Sequence, residues 1–223
     1  MVLSLPFREA ARDYLYLLEK NYPQKAIIKI IGDRYSLTGT ERTLLYRGLT
    51  TSNNKTRRAG LLWNVANIKQ EELHIDGYNV LITIGSYLNG NLVFIANDNF
   101  LRDASEIHGK VFRTSLFDRS ISLLLEYLKH IEIKTIHFYL DQPVSKSGEL
   151  ANKIHSLMQK AGFKGSSSTV ASPDYMLKNL DDGIVCTSDS TIIDHTQRGL
   201  FDLARHTISH HFDPDFLDLY IEF

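Results

Sequence analysis

Residues 72–84 read Glu72-Leu73-His74-Ile75-Asp76-Gly77-Tyr78-Asn79-Val80-Leu81-Ile82-Thr83-Ile84. Leu73 and Ile75 mark a short strand. It stops on a carboxylate, Asp76, followed at once by Gly77. Open α/β sheets present the carboxyl ends of their strands to the ligand crevice, so Asp76 is expected on that rim. Asn79 falls in the first turn of the next helix, where its amide can turn back to the same spot. Two readings stay open. Asp caps helices well, and a carboxylate with an amide offers hard oxygen ligands to Mg²⁺ or Mn²⁺.

Downstream, the helix after Asn79 runs to about Leu88, and Asn89-Gly90-Asn91 turns the chain. Leu92 to Ile95 reads as a second strand. A long polar segment from Ala96 to Arg113 follows, and segments of this kind outside strand ends often carry function. Asp98 and Asp103 there can join a metal site or hold the loop together. Arg102, Lys110 and Arg113 are candidate phosphate contacts, or simply solvated charges. Phe117, Ile121, Leu124, Leu125 and Leu128 space out one face of an amphipathic helix.

Ile133 to Leu140 forms a clear strand that ends on Asp141, a second carboxylate at a strand terminus. The helix from Ser147 buries Leu150, Ile154, Leu157 and Met158 and stops at Gly162. A weaker strand spans 163–171. Ser172-Pro173 opens a short helix with Asp174 in its first turn. Ile184 to Thr187 is the last strong strand, with Cys186 as a buried thiol. It runs into Asp189, with Asp194 about a helical turn beyond. His206 and His210 share a helix face, yet no Glu adjoins the first of them as a metalloprotease motif requires, so they read as a surface cluster. Residues 217–223 alternate and suggest an edge strand.

Upstream, Pro6 opens a helix whose apolar face is Phe7, Ala11, Tyr14, Leu15 and Leu18. A short helix is expected over 24–31. Thr38-Gly39-Thr40-Glu41 fits a capping box and starts a third. The polar run 51–58 (TSNNKTRR) reads as a mobile loop. Its Arg57 and Arg58 suggest a phosphate-contacting patch, with a plain solvated face as the alternative.

Strands alternating with helices imply a mostly parallel sheet. The expectation is an all-α N-terminal domain over 1–68, helix-turn-helix-like, and an α/β domain over 69–223. Asp76, Asp141 and Asp189 then gather on one sheet edge, with Asp174 and Asp194 on adjoining helices. Crowded like charges repel, and hard oxygen donors relieve this by holding Mg²⁺ or Mn²⁺ rather than zinc. The chain of 223 residues is 43% hydrophobic and 23% charged, with net charge −1 and one cysteine. That mix is globular, rules out a disulfide framework, and does not advertise nucleic-acid binding by overall charge. No membrane-length apolar run and no export signal are evident, so a cytoplasmic protein with no membrane partner is expected; nothing bears on oligomeric state. Tyr78 stands where a haloacid-type phosphatase needs its second Asp. A dinucleotide-binding Gly-x-Gly-x-x-Gly is missing after the first strand.

Asp76-Gly77-Tyr78-Asn79 at the end of a first strand resembles the opening motif of the PIN-like and NYN nuclease superfamily, and Thr187-Ser188-Asp189 resembles its late Thr-x-Asp segment. Nearly the whole chain also resembles a family of uncharacterised prokaryotic proteins that join a short helical part to a PIN-like domain. The resemblance implies a PIN-like three-layer α/β sandwich. It implies Asp76, Asp174 and Asp189 as catalytic acids, with Asn79, Asp141 and Asp194 joining them around Mg²⁺ or Mn²⁺. It further implies a nuclease acting on RNA; the alternative is a non-catalytic nucleic-acid or nucleotide-binding module with a degenerate PIN-like site. The 98–113 insertion departs from the minimal PIN pattern.

Overall fold

The structure, a computed structural model, describes residues 3–69, 71–104 and 115–219. Its described residues divide into two compact units. The first takes those up to Gly60, from Asn91 to 104 and from Asp215 on; the second takes Leu61–Gly90 and from 115 to Pro214.

The second unit holds a four-stranded parallel sheet. In chain order its elements are β1 (Leu73–Asp76), α5 (Gly77–Leu88), α6 (Ser115–His130), β4 (Thr135–Asp141), α7 (Ser147–Ala161), β5 (Lys164–Val170), α8 (Pro173–Lys178), β6 (Ile184–Cys186), α9 (Ser190–Ile193) and α10 (Leu203–His211). Spatial order is β5-β4-β1-β6. The chain steps from β1 to β4 to β5 on one side, then returns to place β6 on the other flank of β1. The order therefore reverses between β1 and β6, the point at which open α/β sheets form a ligand crevice. Leu73 and Ile75 of β1 are fully buried, as are Ile136, Phe138 and Leu140 of β4. Each such side chain contributes about 1.5–3 kcal/mol through burial. α10 packs against α5 and α6.

The first unit contains α1 (Leu5–Glu19), α2 (Gln24–Arg34), α3 (Gly39–Gly48) and α4 (Ser52–Leu61, whose last residue falls in the second unit). The Thr38–Glu41 capping box forms with both of its bonds. The unit is not all helix. β2 (Val93–Ile95), β3 (Leu101–Asp103) and β7 (Leu217–Asp218) make a separate three-stranded sheet, order β3-β2-β7. The strand expected in the main sheet at 92–95 thus pairs elsewhere, because its core partners are helical: Phe94 and Leu217 share a buried cluster with Phe7, Tyr14 and Leu45. The expected loop at 51–58 is likewise the helix α4. Its one buried residue is Arg58, which is why no apolar stripe announces it.

Candidate carboxylate site

Asp76 ends β1 and caps α5 at once. Its carboxylate accepts a 3.4 Å bond from the Asn79 backbone N–H, closing the helix start. Gly77 makes the sharp exit workable, since a Cβ there would lie 2.5 Å from Leu140 Cδ2. The other Asp76 oxygen accepts from the Thr187 hydroxyl at 2.9 Å, tying β1 to the end of β6. Thr187 Oγ1 in turn accepts the Asp189 N–H at 3.0 Å. One hydroxyl therefore orders two of the acids. Asp189 caps α9, accepting from the Thr191 N–H at 2.6 Å.

Burial pushes Asp76 up to about 7, and the charges of Asp189 and Asp141 add to the effect against the hydrogen bonds from Thr187 and Asn79. Asp141, at the end of β4, is raised by burial and then by Asp174. Asp174 sits in the first turn of α8, capped by Ser172, with Lys178 at 4.0 Å. The strand ends thus bring Asp76, Asp141 and Asp189 into one electrostatic neighbourhood, and α8 adds Asp174. Asp189 holds the N-terminal end of α9 and Asp194 its C-terminal end.

Asn79 does not serve as expected. Its side-chain oxygen, the atom a cation would take, accepts both the Ser188 N–H at 2.8 Å and the Ser188 hydroxyl at 3.0 Å. It is a strut from α5 to the β6–α9 turn. Among the described residues no three or more His, Cys, Asp or Glu side chains are gathered into a ready metal cage. The donor set still suits a hard divalent cation in kind: oxygen ligands only, with mutual repulsion that a cation would relieve.

A family model described as "Domain of unknown function (DUF5616)" matches residues 65–206, well over half the chain. The chain belongs to the DUF5616 family. A second model, "Protein of unknown function (DUF434)", matches residues 6–59. The uncharacterized protein MJ0935 of Methanocaldococcus jannaschii is 36% identical over 193 residues, covering 85% of this chain and 89% of that protein. No solved structure matches. The DUF5616 match spans every acid of the candidate site, from Asp76 to Asp194.

The candidate phosphate contacts fare differently. In this DUF5616 chain Arg58 and Arg102 are 5% and 3% exposed and both grip Asp98, at 2.6 Å each. They are structural charges rather than an offered basic face, and Asp98 holds its loop through both of them. Asp103 pairs with Arg47 at 3.1 Å. Arg57 is half-buried on α4. Lys110 and Arg113 lie outside the described residues. Ser188, the variable middle of Thr187-Ser188-Asp189 in the sequence, gains a role through the long-range pairing of its turn with Asn79. No described helix is long and apolar enough to cross a membrane.

Proposed function

We propose that this chain is a divalent-metal-dependent nuclease of PIN-like type that hydrolyses phosphodiester bonds in RNA and works in the cytoplasm. The observation that carries this reading is the set of acids at the β1, β4 and β6 ends, at the reversal of strand order. The likeness of Asp76-Gly77-Tyr78-Asn79 and Thr187-Ser188-Asp189 to PIN-like motifs supports it. Asp76 and Asp189 would hold the cation, with Asp141 and Asp174 beside them. A bound Mg²⁺ or Mn²⁺ supplies an activated water and stabilises charge on the phosphoryl group. The protein's part is to orient the acids. Thr187 aligns Asp76 and Asp189, and the Asn79–Ser188 strut fixes the turn that carries Asp189.

The test is cleavage of end-labelled single-stranded RNA and DNA with Mn²⁺, Mg²⁺ or EDTA, wild type beside Asp76→Asn. The expected result is metal-dependent RNA cleavage that disappears in the variant. A folded, metal-loaded protein that yields no products would instead indicate a nucleic-acid-binding module with a degenerate site.

A further inference from the structure

The four-stranded sheet has one edge that the chain closes and one that it leaves open. At β6 the Val185 N–H donates to Gly199 O and the Phe201 N–H to Val185 O, each at 2.9 Å. That flanking segment is covered in turn, with the Leu200 N–H on Leu61 O and the Trp63 N–H on Leu200 O, both at 2.7 Å. At the other edge lies β5, which among the described residues pairs with β4 alone.

β5 lacks the devices that guard an edge. Sheets blunt their edges with proline, charge, bulges or very short strands. β5 runs Lys164-Gly165-Ser166-Ser167-Ser168-Thr169-Val170, matched residue for residue to Thr135–Asp141 without a bulge. It has no proline, and its one charge is Lys164 at the start. The Lys164 N–H donates towards β4, to Lys134 O at 2.8 Å, and Val170 O accepts from the Gln142 N–H on the same side at 2.9 Å. Backbone groups alternate sides along a strand. Those of Gly165, Ser167 and Thr169 therefore point outward, and burying such groups unpaired is costly. Ser167 is the middle residue of the strand. Its buried hydroxyl has no hydrogen-bond partner among the described residues.

We infer that β5 pairs antiparallel with β5 of a second copy of this chain, about a two-fold axis at Ser167. The two sheets then join into one of eight strands, four from each copy. A two-fold axis sets a strand antiparallel to itself and makes the contact self-complementary. In this register Ser167 meets Ser167 of the partner subunit, and the two exchange both backbone bonds. Thr169 faces Gly165 of the partner subunit, and Lys164 faces Val170 of the partner subunit. All three outward residues find bonds, and no like charges stand opposite one another. The axis passes the one hydroxyl of the strand that lacks a partner, and brings a second hydroxyl to it. That coincidence selects a second copy over a foreign strand. Antiparallel pairing also turns the two carboxylate edges to opposite ends of the joined sheet.

The experiment is sedimentation equilibrium of the full-length protein beside two variants. Wild type is expected to sediment as two chains at micromolar concentration. Thr169→Pro removes one outward N–H from each copy and no bond to β4, a position at which an edge strand tolerates proline. It should keep the wild-type circular dichroism spectrum and weaken the dimer at least about tenfold. Ser167→Cys sets two thiols across the axis at the Cα spacing of about 5.5 Å of a bonded antiparallel pair, within disulfide range. Oxidised glutathione should convert it to a covalent dimer, while wild type, whose Cys186 is buried, stays uncrosslinked. A monomeric wild type overturns the inference and leaves the edge to a strand from another protein. A dimer indifferent to Thr169→Pro, or a Ser167→Cys dimer that does not crosslink, overturns it as well. Should Thr169→Pro fail to fold, the crosslink decides. None of these readouts involves turnover, so the outcome is independent of the nuclease reading.

Discussion

Burial and its acidic neighbours push the carboxyl of Asp76 up to about 7 from 3.8. A raised carboxyl favours the protonated form in the fold. The stability this contributes is full below the unfolded value and is lost as pH climbs to about 7. The difference is worth at most about 4 kcal/mol. Asp76→Asn, which cannot ionise, should therefore melt higher than wild type at pH 8 in EDTA, with the gap shrinking steadily down to about pH 4. Thermal melts across that range check it, and a pH-independent gap would contradict it. Gly77→Ala should destabilise by about 1–3 kcal/mol, since its Cβ would overlap Leu140; urea titration measures this. Cys186, fully buried with its thiol raised by burial and then by Asp202, should resist thiol reagents until the chain unfolds.

At the scale of elements, two polar connections hold pieces distant in sequence. The Asn79–Ser188 strut joins α5 to the β6–α9 turn. Asn79→Ala removes the shared acceptor of the Ser188 N–H and hydroxyl and should cost about 1–3 kcal/mol. If the turn orients Asp189, cleavage should also fall in kcat more than in KM. Asp98 clasps Arg58 of α4 and Arg102 of β3. Asp98→Ala leaves two guanidiniums buried without their shared anion and should cost about 3–5 kcal/mol. Differential scanning calorimetry reads this directly; a loss under about 1 kcal/mol would mean the clasp behaves as an exposed pair.

At the scale of the molecule, the first unit is assembled from three stretches of chain. Its buried cluster takes Phe94 and Ala96 from β2 and its exit, and Leu217 and Leu219 from the end of the described chain, beside Phe7, Tyr14 and Leu45 of the helices. A fragment ending at residue 64 keeps the helices and loses those four side chains. It should show helical circular dichroism without a cooperative melt, while the full chain melts cooperatively. A sharp transition in the fragment would mean that the helices carry their own core.

Local rules account for much of what the sequence determined by itself. The strand ending on Asp76, the capping box at Thr38, the Ser172-Pro173 start of α8 and the parallel sheet all follow from periodicity and caps, which act over a few residues. Asp76, Asp141 and Asp189 come at or just after the ends of the neighbouring parallel strands β1, β4 and β6, as alternating strands and helices imply. Only tertiary structure decided the rest. Arg58 and Arg102 look like phosphate contacts until Asp98 is seen between them. Asn79 looks like a ligand until Ser188, 109 residues away, takes its oxygen. Residues 93–95 look like part of the main sheet until their strand is seen paired with β7. In each case the deciding partner is remote in sequence. A hydrogen bond or buried pair of that kind leaves no periodic trace along the chain, because its energy exists only once the fold has brought the two ends together.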